Sequence, residues 1–170
     1  MARFLALHDY GMGGLWWWIT ADSPEQVTRT LAEVEVVTDA ETVLAAEDWE
    51  LEEVDLAGPL PVPLDDMRAQ RDQQRHQPGF GATAERDGPV WLRLPAGEYD
   101  GDGDWLVELD TTGRRLRQIE LRPDGDALLT HDWPFNPPFD LYQPRFATMG
   151  ITQAEFEQTW SRGRPDPDAL

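Results

Sequence analysis

The chain has no lysine and no cysteine, and all fourteen of its basic residues are arginine. Without lysine there is no Schiff-base amine and no phosphate-gripping P-loop lysine. Without cysteine there is no thiolate nucleophile, no sulfur-ligated metal and no disulfide. Serine is equally scarce as a nucleophile. Ser23 is placed to cap a helix, and Ser161 lies close to the end of the ordered sequence. Long apolar runs are missing as well. The first eight residues are too short for the core of a secretion signal, and no stretch approaches the twenty apolar residues that span a bilayer. Cytoplasmic location and no cofactor are the resulting expectations. Internal repeats and low-complexity runs are also absent.

What remains is an acidic, aromatic chain. Its 170 residues carry 33 acidic side chains, a formal net charge of −19 and eight tryptophans. That length buries about two-thirds of the surface its unfolded form exposes, enough for a real core. The composition reads as a single domain over 1–162 with a frayed tail at 163–170. Such a charge repels nucleic-acid backbones and anionic membranes and attracts a basic protein. The same charge also serves plain solubility.

Residues 4–8 and 15–20 read as strands joined by a glycine-rich reversal at 9–14, an N-terminal hairpin. Ser23, Pro24 and Gln26 then mark a helix start, and Val27, Leu31 and Val34 recur on one face. Thr38 with Glu41 suggests a second capping box. Residues 49–56 alternate imperfectly and are read as an edge strand. After a proline-broken connector at 58–63, residues 64–75 are predicted helical, and the glycine-rich 76–88 stretch is the best internal boundary. The second half predicts a strand at 89–94 and a three-stranded antiparallel meander at 105–110, 114–121 and 127–131. Its turns carry Gly113 and Gly125 where positive φ is needed. Thr152 and Glu155 form a third capping box, with Ile151 stapled to Phe156. The fold class expected is α+β, an antiparallel sheet with helices packed on one face.

Several patterns suggest chemistry and are weighed against plainer readings. Asp100, Asp102 and Asp104 alternate with glycine as in the opening of a calcium loop, but the twelfth position, which must supply a carboxylate, is Thr111. A solvated turn is the better reading. The 11–14 glycines lead into a strand rather than a helix, which removes the phosphate-loop reading. His8–Asp9 and His131–Asp132 pair imidazole with carboxylate and could line an aromatic pocket or hold a metal; capping or core-edge roles outweigh this. Arg68, Arg71 and Arg75 form a stripe if helical, and internal pairing is preferred to an anion site. On the strand 15–20, Trp16 and Trp18 share one face and Trp17 the other, so one face enters the core and a member of the other is available as a binding anchor. The aromatic 133–142 loop either lines a pocket or roofs the sheet.

Trp105 to Asp110, Gly113–Arg114, Arg117 to Glu120 and Pro123–Asp124–Gly125 together resemble a hairpin found in small bacterial proteins grouped with the immunity proteins of polymorphic toxin systems. The resemblance covers residues 105–125. It implies a cytoplasmic antidote that binds a basic toxin, and it brings no catalytic residue. The expectation is therefore a non-catalytic, acidic protein-binding domain, with the partner surface at Trp16, Trp18, Glu47, Asp48, Glu50, Glu52, Glu53 and Asp55, joined by Asp100, Asp102 and Asp104. The alternative is an enzyme or small-ligand binder using His8 and His131. A homo-oligomeric accessory protein is a third possibility. Nucleic acid and membrane are not expected partners, and no metal site is expected.

Overall fold

The computed structural model describes residues 1–97 and 101–168. The chain is α+β; its described residues form one four-stranded and one five-stranded sheet, and it divides into two compact units, Met1–Gln77 and Pro78–Leu170. The division falls inside the 76–88 stretch that the sequence offers as its internal boundary.

In the first unit, β1 (Ala2–Asp9) and β2 (Gly14–Ala21) form the expected hairpin. Its turn closes through Tyr10 N–H to the Gly13 carbonyl, with Gly11 at φ +85°, a conformation that side chains resist. Helix α1 (Pro24–Thr30) starts where Ser23 accepts the Gln26 N–H. Gln26 returns its amide oxygen to the backbone N–H of Asp22, not to the cap residue itself. Helix α2 (Ala40–Ala46) is capped one residue later than the sequence suggests. Asp39, rather than Thr38, accepts both the N–H and the hydroxyl of Thr42, which hold the Asp39 carboxyl below its usual range. Between the two helices, β3 (Glu35–Val36) pairs with β1. After α2 the chain enters β4 (Glu52–Asp55), which pairs parallel to β2 and ends the sheet, giving the order β3-β1-β2-β4.

Helix α3 (Val62–Arg75) then packs with α1 on one face of this sheet. That face buries Trp17, Ile19, Val27, Leu31, Val54 and Leu64, with Val27 and Leu31 wholly enclosed. Each such side chain contributes about 1.5–3 kcal/mol by leaving water. The opposite face is not left to solvent. Leu5 and Trp18 pack there against Val43 and Ala46 of α2 and against Leu51. A strand with large rings on both faces needs cover on both, so helices lie on either side of the first sheet.

The second unit is built on the meander. Strands β5 (Val90–Leu94), β6 (Asp104–Leu109), β7 (Arg115–Leu121) and β8 (Ala127–Thr130) pair antiparallel in sequence order. Gly113 and Gly125 adopt φ of +88° and +89° in the two turns. Helix α4 (Gln153–Trp160) opens with the full Thr152–Glu155 capping box and covers one face through Phe156 and Trp160, with Ile151 alongside. The other face is covered by irregular chain and a short 3-10 helix, Pro144–Thr148. Phe139, Leu141, Phe146 and Met149 pack on Val90, Leu92, Val107 and Leu109. The aromatic segment therefore roofs the sheet. Arg164–Pro165 (β9) pairs parallel to β8, and the Asp166 N–H reaches the Leu129 carbonyl, a pairing the expectation of a frayed end from 163 onward did not anticipate.

Candidate functional site

Most arginines bond to the protein's own acceptors. Arg71 of α3 is fully enclosed. It donates to the carbonyls of Thr28 and Leu31, 2.9 Å each, at the C-terminal end of α1, and to Gln74 Oε1 at 2.7 Å. Arg75 reaches the Arg29 carbonyl at 2.6 Å, and Arg68 pairs with Asp65. The cationic stripe is thus paired within the protein, and two of its members neutralise the negative end of a neighbouring helix. In the second unit, Arg114 donates to the Asn136 carbonyl at 2.6 Å, and Arg115 stacks on Trp133 with its guanidinium 4.6 Å from the ring centre. Arg117 lies between Glu108 and Glu157, 2.5 Å from each, and over the rings of Phe156 and Trp160. The Arg117 guanidinium holds the Glu157 carboxyl below its usual range, and Glu157 with Glu108 raises Arg117 in return.

The acidic stretch of the first unit is outward-facing. Glu47, Asp48, Glu50, Glu52, Glu53 and Asp55 are all exposed. Two of them already hold a cation. Arg3 donates to Glu47 at 2.6 and 2.7 Å and to Glu53 at 2.8 Å, and its guanidinium sits 4.2 Å from the centre of the Trp18 ring. Those carboxylates, Glu47 first, raise the Arg3 pKa further. Asp55 accepts the Ala57 N–H in the turn that ends β4. Among the described residues, no arginine bonds to Asp48, Glu50 or Glu52.

The tryptophan strand resolves into unequal members. Trp18 is only 5 % exposed and lies under Arg3, so it is not the exposed anchor that strand alternation allows. Trp16, on the same face, is half-buried and meets Trp49 edge to face with ring centres 5.2 Å apart. Trp49 is 40 % exposed and Leu44 of α2 is 74 % exposed. Sequence reasoning placed Trp49 in a strand and omitted it from the partner surface. It lies instead in the bend that follows α2, its N–H on the Ala46 carbonyl. The signal that points to it is its position inside the run of carboxylates at 47–53.

The remaining candidates lie elsewhere. Asp100 is outside the described residues. Asp102 is exposed, and Asp104 is engaged by Arg93 at 2.6 Å and by the Ala96 N–H, with Arg93 the main cause of its lowered pKa. Two shallow open grooves of about 340 and 250 Å³ adjoin this pair, the second also lined by Asp102, Leu121 and Arg122. His8 belongs to the first unit, with Nδ1 2.9 Å from the Glu33 carbonyl, and His131 is exposed in the second. Among the described residues, no three histidine, aspartate or glutamate side chains gather as a metal site, and no helix is long and apolar enough to cross a membrane. Comparison with protein families, with curated proteins and with solved structures finds no match to this chain.

Proposed function

We propose that this chain is a non-catalytic, cytoplasmic binding protein for a basic protein, most concretely an immunity-type inhibitor that covers the working surface of a cationic toxin. The observation that carries this reading is the first unit's outward face, where the half-exposed Trp49 stands among Asp48, Glu50 and Glu52. Large rings at a partly exposed edge serve as anchors, because they contribute contact area at low entropic cost. The surrounding carboxylates accelerate encounter with a basic partner and deter an acidic one. Arg3, Arg71, Arg75 and Arg117 are all engaged by the protein's own acceptors, which supports the same reading, since a large acidic excess remains on the surface. Ser23, engaged as a helix cap, adds nothing that would favour nucleophilic catalysis.

Genes encoding toxin and antidote are commonly adjacent under this reading, which sets the test. Each reading frame flanking this gene is expressed alone and together with the full chain. One neighbour is expected to arrest growth alone and to be harmless, and co-purified, with this chain. Toxicity that persists in the presence of this chain, with no complex recovered, removes the inhibitor reading.

A further inference from the structure

On the face of β2 that carries Trp16 and Trp18, the chain itself demonstrates how a guanidinium is held. Arg3 lies over the Trp18 indole, 4.2 Å from its centre, while Glu47 and Glu53 take its N–H groups. One alternation back along the same strand, Trp16 repeats the ring without the arginine. Its neighbour is the second indole, Trp49, set at 81° to it. Asp48 and Glu50 flank Trp49 in sequence, and Glu52 opens β4, all three exposed. Resting on the basic-partner reading above, we propose that the corner formed by Trp16 and Trp49 receives an arginine side chain of that partner, stacked on an indole face and paired with Asp48 or Glu50.

The chemistry favours arginine over the other occupants. An indole face attracts a cation through its quadrupole, and a planar guanidinium stacks on it while keeping its edge N–H groups for carboxylates. Lysine offers a compact, strongly hydrated charge and no plane. A second copy of this chain is disfavoured by a net charge of −19 on each molecule. An uncharged apolar segment would find Trp49 but leave the carboxylates without partners.

The test uses the full chain labelled with ¹⁵N and a capped pentapeptide of alternating glycine and arginine, with lysine and citrulline counterparts. Trp16→Phe and Trp49→Phe identify the two indole N–H signals. The arginine peptide is expected to shift both signals saturably in the roughly millimolar range. The lysine peptide should bind about threefold to tenfold more weakly, and the citrulline peptide should leave both signals still. Trp49→Ala should abolish the response, and the double change Asp48→Asn, Glu50→Gln should weaken it by a similar factor, while the other indole signals report an intact fold. Binding that moves other indoles but not these two, equal shifts with citrulline, or no saturable response would each overturn the proposal. A silent corner together with rescue of a toxic neighbour would leave the inhibitor reading standing with its contact elsewhere. A responsive corner without rescue would do the reverse.

Discussion

The two units solve the same problem, covering both faces of a sheet, with different materials. The first uses helices on either side; the second uses one α-helix and, opposite it, a proline-rich segment that is irregular apart from a short 3-10 turn at Pro144–Thr148. Helices satisfy their own backbone groups except at their ends, so in the first unit the polar demand gathers at the end of α1, where Arg71 and Arg75 meet it. The roof closes a few of its own turns between Asp140 and Met149, and side chains take over elsewhere. Asn136 does so in the second unit. Its amide NH₂ donates to the Arg115 carbonyl at 2.9 Å and its oxygen accepts the Arg115 N–H at 3.3 Å, so a side chain imitates a neighbouring strand. In both units arginine supplies the missing donors. A chain with only this one kind of cation, used so heavily for its own carbonyls, keeps its acidic surplus outside.

Perturbing the helical solution should have the largest effect. Arg71→Met leaves the buried Leu31 carbonyl and the part-buried Thr28 carbonyl at the end of α1 without their donor and should cost about 3 kcal/mol. Amide exchange would check this, with protection lost across α1 and α3 in the first unit. If exchange in these helices is unchanged, the guanidinium is a passenger and the comparison fails on that side.

The irregular roof is best attacked at its anchor. Gly113 has φ +88°, and a Cβ there would lie 2.3 Å from the Phe139 carbonyl oxygen, whose own N–H bonds the Gly113 carbonyl. Gly113→Ala should therefore cost about 2 kcal/mol through backbone strain and a blocked docking contact. Thermal unfolding should show the loss, and the Trp133 indole signal should move as the roof lifts.

A smaller effect separates the two ways of holding an arginine. Arg117 depends on carboxylates, whereas Arg71 donates to carbonyl and amide oxygens. Arg117→Met should cost about 1–2 kcal/mol, because Glu108 is left 8 % exposed without its cation. It should also return the Glu157 titration upward, as followed by carboxyl NMR. In the native protein the Glu157 pKa is depressed by Arg117, so the pair's contribution is complete above the ordinary carboxylate range. It is lost as pH falls through the lower, folded value. Acid should loosen α4 before it affects the Arg71 contacts; simultaneous loss of both would blur the distinction.

Local chemistry made much of this fold readable in advance. Ser23 with Pro24, Thr152 with Glu155, and the glycines at 113 and 125 mark real boundaries because caps and turns are decided within a few residues. What stayed hidden depends on distant partners. The parallel pairing of β2 with β4 spans more than thirty residues, and β9 is defined only by a β8 that precedes it by a similar distance. For the candidate site, alternation gave Trp16 and Trp18 a common face but not their exposures. Arg3, on the partner strand and one alternation from Leu5, which lies opposite Trp18, is what covers that ring. Trp49 was masked by an imperfect alternation that resembled strand when the backbone there turns.

Asn136 is the only asparagine in the chain, and it is followed by Pro137. Spontaneous deamidation proceeds by attack of the next residue's backbone nitrogen on the side-chain amide, and a proline nitrogen carries no hydrogen for that step. The amide that stands in for a strand is thus placed where ordinary chemical ageing does not convert it to aspartate. The roof over β5 and β6 should keep its attachment to Arg115 of β7 through long storage, even as aspartyl–glycine sites such as Asp124–Gly125 slowly rearrange.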